Sequence, residues 1–201
     1  MNNHPSDKPS ALPFDPADLR QAVDVMKKGG VILYPTDTIW GIGCDATNPE
    51  AVRRVFDIKR RPDSKALISL VPSADWLDTY VEDVPEVAYQ LIEASVRPTT
   101  IVYDHGIRLA PNLLADDGSV GIRVTSEIFS SRLASALRRP VVSTSANVSG
   151  SPSPRYFTEI DPSVTQAVDY VVSYRRDDLS PTTPSSVIRL GSGGLISILR
   201  P

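Results

Sequence analysis

The sequence predicts an α/β domain built on a mixed β-sheet, and three observations carry this. Short apolar runs rich in β-branched residues alternate along the chain with segments of helical periodicity, the pattern of strands interspersed with helices. Gly191, Gly193 and Gly194 separate the last two apolar runs, a hairpin-like spacing that argues against a purely parallel sheet. No internal repeat or long linker divides the 201 residues, a length that suits one sizeable domain.

The elements follow in order. Asp15 is a good N-cap with Pro16 at the first helical position, so a helix opens there. Leu19, Ala22, Val23 and Met26 repeat at helical spacing, and Gly29-Gly30 ends the helix. Val31 to Tyr34 reads as a buried strand, followed by Pro35-Thr36-Asp37-Thr38 and a Gly41-Ile42-Gly43 turn. Asn48-Pro49-Glu50 repeats the cap-plus-proline signal and starts a second helix with Val52, Val55 and Phe56 on its apolar face. Strands are expected at Leu67–Val71, Thr99–Tyr103, Val120–Val124 and Val141-Val142, and later at Tyr170–Val172, Ser186–Leu190 and Leu195–Leu199. Helices are expected at Val84–Ala94 and Glu127–Leu137. Residues 1–13, polar and rich in Pro, Ser and Asn, read as a flexible tail ahead of a single domain over 14–201.

Composition narrows the function. Apolar residues make up 41%, ordinary for a globular chain, and no apolar run approaches the roughly 20 residues that span a bilayer. The start lacks a basic segment followed by an apolar stretch, so no secretory leader is expected. Cys44 is the only cysteine, which rules out an intramolecular disulfide and a cysteine metal cage and suits the reducing cytosol. A net charge of −3 argues against a surface devoted wholly to nucleic acid. It conceals a local run of cations: Arg53, Arg54, Lys59, Arg60, Arg61 and Lys65. That run is either a solvated helix face or a place for anionic ligands.

Three polar segments each follow an apolar strand, the position where open α/β sheets collect ligands. Pro35 to Gly41 offers two hydroxyls and a carboxylate, either to a small polar substrate or to an Asx-type turn stapling its own backbone. In Lys59 to Leu67, Pro62 forces the chain to extend, and cations held where chain direction is set suit phosphate binding. Neither a Walker loop nor a dinucleotide-binding glycine pattern occurs. Ser143 to Ser153 is rich in small donors, which form either an anion nest or an ordinary serine-rich loop. His4 lies in the tail and His105 in a turn, neither beside an evident nucleophile, and Cys44 reads as a packed side chain. Chemistry by positioning and charge neutralisation fits better than nucleophilic catalysis.

Taken in order, these segments resemble the YrdC-like family of threonylcarbamoyl-AMP synthases. The matching stretches are Gly29 to Thr38, Lys59-x-Arg61-Pro62-x-x-Lys65-x-Leu67, Gly121-Ile122-Arg123, Ser145-Ala146-Asn147-x-Ser149-Gly150 and Ile198-Leu199-Arg200-Pro201. The resemblance spans about residues 15 to 201. It implies the YrdC-like (DHBP synthase-like) fold, a twisted mixed sheet flanked by helices around a basic concave cavity. It also implies ATP, L-threonine and bicarbonate as substrates, Mg2+ on the phosphates, and a threonylcarbamoyl adenylate as product.

By position, the resemblance places Thr36, Arg123, Ser143, Ser185 and Ser186 around L-threonine, with Arg123 on its carboxylate. Lys59, Arg61 and Lys65 fall to the phosphates, and Ser119, Ser145, Asn147, Ser153 and Arg200 to the nucleotide. No residue resembles a dedicated general base. Where many members carry Trp-Pro-Gly-Pro before a threonine, this chain has Ser95-Val96-Arg97-Pro98-Thr99-Thr100, leaving one wall of the cavity undefined. The length matches the short form, which hands its product to a separate tRNA-modifying transferase complex.

Two other readings compete. A double-stranded RNA- or tRNA-binding module without catalysis suits a basic cavity, yet aromatics are only 6% and are not interleaved with cations. A carbamoyl-transfer domain of hydrogenase maturation belongs to a much larger chain with cysteine-rich segments, which are missing here.

Overall fold

The computed structural model describes residues 12–60, 67–180, 183–191 and 193–201. The expectation of an N-terminal tail therefore falls outside the described residues, apart from Leu12 and Pro13. Phe14 is already buried, stacked edge-on against Phe129.

Capping decides where the longer helices begin. The Asp15 carboxylate accepts from Ala17 N, and α1 runs Pro16–Lys27. The Asn48 side chain accepts from Glu50 N and Ala51 N, and α2 runs Pro49–Lys59. Glu127 does the same for Phe129 N and Ser130 N at the start of α5, Ile128–Leu137. The helix expected from Val84 starts at Glu86 (α4, Glu86–Ala94), because Pro85 holds the residue before it extended. A four-residue helix α3, Leu77–Tyr80, and α6, Pro162–Ala167, are additions to the sequence reading.

Among the described residues the strands form one nine-stranded sheet in the order β7-β1-β2-β6-β3-β5-β4-β8-β9. These are β1 Ile32–Tyr34, β2 Gly41–Gly43, β3 Ile68–Val71, β4 Thr99–Tyr103, β5 Val120–Val124, β6 Val141–Ser145, β7 Tyr170–Val171, β8 Ser186–Leu190 and β9 Ile196–Arg200. Pairing is mixed: β1–β7, β3–β5 and β4–β8 are parallel and the remaining neighbours antiparallel. The last two strands form the expected antiparallel pair.

The structure corrects the sequence reading at Gly41-Ile42-Gly43, which is a strand between β1 and β6 rather than a turn. A Cβ on Gly43 would lie 2.4 Å from the Val142 carbonyl and 2.5 Å from the Tyr34 ring. The glycine is there because a buried tyrosine crosses over it, its hydroxyl donating to Val142 O at 3.0 Å. Likewise β6 extends past Val142 to Ser145, carrying two expected site serines into the sheet.

Side chains alternate across β1: Leu33 packs with α2, Val52 and Phe56, while Ile32 and Tyr34 pack with α1 and α5. A third cluster joins β4 and β5 to α3 and α4. Helices thus cover both faces of the sheet. No helix of the described residues is long and apolar enough to cross a membrane.

Candidate active site

Loops and strand ends from across the sheet converge on one open hollow of about 520 Å³. Thr36, Thr38 and Trp40 come from the β1–β2 connection, Arg123 from β5, and Ser143 and Ser145 from β6. Ser153 and Arg155 come from the loop after β6, Ser185 precedes β8, and Arg200 ends β9. Among the described residues three arginines and several hydroxyls line the hollow, and none of those lining residues is a carboxylate.

The β1–β2 loop is both turn and wall. Thr36 Oγ1 donates to Ile39 O at 2.7 Å and accepts from Thr38 N at 3.1 Å, so the segment staples itself. Its carbonyls are also anchored: Ser130 Oγ of α5 donates to Pro35 O at 3.0 Å, and Arg175 Nη1 donates to Thr36 O at 3.1 Å. Trp40 is buried against Phe157, ring centroids 4.9 Å apart. A loop tied down at this many points presents Thr36 without further ordering cost.

Arg123 is 2% exposed, and its Nη2 lies 2.9 Å from Asp37 Oδ1. The contact is an ion pair off the line of a hydrogen bond, and both Asp37 Oδ1 and Arg123 Nε lack hydrogen-bond partners among the described residues. Nη2 also reaches Thr38 Oγ1 at 3.5 Å. Burial pulls the Arg123 pKa down, while Asp37 and then Tyr34 push it back up. Burial also pushes the Tyr34 hydroxyl well up, so it stays protonated. At the far wall, Arg200 Nε donates to Ser185 O at 2.9 Å and Nη2 to Ser185 Oγ at 3.1 Å. Ser185 Oγ also meets Thr100 Oγ1 at 3.1 Å, which ties the Pro98–Thr100 segment into this wall.

Of the expected residues, Thr36, Arg123, Ser143, Ser145, Ser153, Ser185 and Arg200 line the one hollow. Ser186 is not a lining residue: it opens β8, its N donating to Pro98 O at 3.0 Å. Ser119 is also absent from the lining and sits in a turn, its N bonded to Asp117 Oδ1 at 3.0 Å. Asn147 lines a neighbouring hollow of about 310 Å³ that shares Ser153, and its Nδ2 donates to Ser151 O at 2.6 Å. Lys59 ends α2, buried, with Nζ donating to Ser145 O at 2.5 Å and Asn147 O at 2.8 Å. Arg61 and Lys65 lie outside the described residues.

Sequence reasoning missed Asp37 as the partner of Arg123, and it missed Arg155 and Arg175. Asp37 was visible only as one polar residue of a motif. For Arg155 the available signal was a cation immediately after the serine-rich loop. Cys44 is buried and free, and burial pushes its thiol well up, so it is packing.

The fold and the hollow define an α/β protein with an open cavity lined by hydroxyls and arginines at strand ends. The Sua5/YciO/YrdC family model, described as telomere recombination, matches residues 24–201, and the chain belongs to that family. It is 33% identical over 180 residues to a threonylcarbamoyl-AMP synthase of Xanthomonas euvesicatoria pv. vesicatoria, covering 88% of this chain and 96% of the relative. Among solved structures, E. coli YciO superposes with a TM-score of 0.79 at 28% identity, covering 94% of this chain and 91% of YciO. P. abyssi Sua5 complexed with L-threonine gives 0.74 at 26% identity, over 86% of this chain but only half of Sua5.

Proposed function

We propose that this chain is an L-threonylcarbamoyladenylate synthase, a nucleotidyltransferase that makes threonylcarbamoyl-AMP from L-threonine, bicarbonate and ATP. The reading is supported by relatives named threonylcarbamoyl-AMP synthase that this chain matches over nearly their whole length, and by the L-threonine complex of P. abyssi Sua5. The carrying observation is that Thr36, Arg123, Ser143, Ser145, Ser153, Ser185 and Arg200 line one cavity although they are scattered from β1 to β9.

In this reading the threonine amine attacks bicarbonate, forming the N–C bond of a carbamate with loss of water. A carbamate oxygen then attacks the α-phosphorus of ATP, and the bond to pyrophosphate breaks. Thr36, Ser143 and Ser185 contact the amino acid. Arg123 receives its carboxylate, for which the unsatisfied Nε–H is an available donor. Ser145, Ser153 and Arg200 hold the nucleotide, with Arg61 and Lys65 kept as phosphate ligands on the resemblance alone. Lys59 contributes through the loop whose carbonyls it grips. Among the described lining residues none is a carboxylate or histidine placed as a general base, so in this reading catalysis rests on positioning and charge.

Mg2+ would come with ATP as its counter-ion and would supply charge neutralisation, the cavity's own residues binding the nucleotide. The cavity's hydroxyls and arginines suit an ion that keeps its waters better than one caged by protein carboxylates. The product goes to a separate transferase complex for threonylcarbamoyladenosine modification of tRNA in the cytosol. The assay is pyrophosphate release from ATP. Release should require L-threonine and bicarbonate together; release that ignores either one, or none at all, removes this reading.

A further inference from the structure

We propose that Arg155 is a nucleotide-binding residue of this cavity, closing on the phosphate chain of ATP by leaving Glu159. The inference rests on the synthase reading and adds to it a ligand that the family motifs do not include.

The three arginines lining the hollow are held differently. Arg123 is buried against Asp37, and Arg200 donates twice to Ser185, a hydroxyl and carbonyl of the cavity wall itself. Each is fixed in the wall. Arg155 is 71% exposed, and its Nη2 meets Glu159 Oε1 at 3.1 Å. Its guanidinium also lies 5.5 Å from the centre of the Tyr156 ring. Exposed ion pairs of this kind contribute little and are screened by salt, so the guanidinium exchanges one anion for another readily. The backbone does not have to follow: Arg155 N is separately bonded to Glu159 Oε2 at 2.8 Å, which steadies the loop.

Position favours phosphate as the incoming anion. Arg155 lies two residues beyond Ser153, which lines both this hollow and the neighbouring one. Glu159 lines the neighbouring hollow and not the larger one. Arg155 itself lines the larger hollow and not the neighbouring one, so its pair with Glu159 bridges the boundary between the two. A polyphosphate carries more negative charge than that carboxylate and accepts the planar guanidinium through two oxygens at once. Exchanging Glu159 for phosphate would turn the cation, already on the wall of the larger hollow, onto the bound nucleotide and shield the adenylate from water.

The test is equilibrium binding of Mg–ATP, and separately of L-threonine, by calorimetry. It compares the unaltered chain with Arg155→Ala, Arg155→Lys and Glu159→Gln, each checked by circular dichroism for folding. Arg155→Ala should weaken ATP binding at least about tenfold and leave L-threonine binding within about twofold. Arg155→Lys should recover part of the loss. Glu159→Gln, which takes the carboxylate charge from the pair but keeps an oxygen that can accept from Arg155 N, should bind ATP at least as tightly as the unaltered chain. Equal ATP affinity in Arg155→Ala overturns the proposal while leaving the synthase reading intact. A loss confined to L-threonine overturns it too, by assigning Arg155 to the amino-acid carboxylate. If the unaltered chain binds no ATP, the synthase reading itself fails and takes this inference with it.

Discussion

Arg123 and Asp37 meet at 2.9 Å with side chains only 2% and 6% exposed, so the cavity wall contains an ion pair taken almost wholly out of water. Such a pair contributes little net stability when intact, but removing one partner strands the other charge. Asp37→Asn should therefore destabilise the fold by about 3–5 kcal/mol, read as a lowered urea midpoint with unchanged slope. Replacing both partners, Asp37→Leu with Arg123→Met, should cost less than the two single changes summed. An unchanged midpoint in Asp37→Asn would mean the pair is solvated.

Gly43→Ala tests the strand that the sequence disguised. The added methyl meets a backbone carbonyl and an aromatic ring at 2.4 and 2.5 Å, and neither is the free end of a flexible chain. Relief requires parting β2 from β6 or moving Tyr34 off Val142. Overpacking of this kind costs typically about 1–3 kcal/mol, and the upper part of that range is expected here. Because β2 follows the Thr36 loop and pairs with Ser145, substrate binding should weaken as well. Gly150→Ala, with nothing within 4 Å of the added carbon but a φ of +91°, should cost backbone strain alone. Thermal midpoints of the two variants separate contact from conformation.

These elements also show what a sequence exposes. Asp15-Pro16 and Asn48-Pro49 announced their helices because caps and prolines act locally, through bonds two or three residues long. Asp161-Pro162 carries the same signal for α6, but its short helix lacks the repeated apolar spacing that draws attention. Gly41-Ile42-Gly43 misled because glycine usually marks a turn, whereas here it answers a tyrosine from the adjacent strand. Thr36, Arg123 and Ser145 were recognisable by motif. The pairing of Arg123 with Asp37, and the grip of Lys59 on carbonyls of the β6 loop, depend on how β5 and β6 lie in the sheet. No local pattern encodes that.

Acid should weaken the fold in a defined window. Asp117 is lowered from 3.8 to about 2, first by Ser119 and then by Arg189. Asp178 is lowered from 3.8 to about 2, first by Ser180 and then by Arg175. A carboxylate depressed in the folded state supports folding above its unfolded value, and that support is lost as pH falls toward the folded value. Stability should hold near pH 5 and decline between about pH 4 and pH 2. Asp117 is half exposed, so its share is screened and should shrink in high salt. Urea unfolding of Asp117→Asn with Asp178→Asn should show a shallower acid slope than the unaltered chain. Identical slopes would place the titrating groups elsewhere.

Lys59 separates two ways a cation can serve an anion site. The resemblance puts it on the phosphates, while the structure buries it with Nζ on the Ser145 and Asn147 carbonyls and its own carbonyl accepting from Ser149 N at 2.8 Å. Side chain and backbone together tie the end of α2 to the serine-rich loop. A charge-assisted bond contributes about 1.5–3 kcal/mol, so Lys59→Met should lose roughly that much stability by urea denaturation. A purely ligand lysine, freed from its neighbours only to meet substrate, would lose activity without losing stability. Pyrophosphate release should fall at least about tenfold in Lys59→Met, since misplacing Ser145 by even an ångström disturbs the near-attack geometry. Lys59→Arg keeps the charge but not the compact ammonium that fits between two carbonyls, and it should fail to restore either property. Full recovery by arginine would show that charge alone is what the site needs.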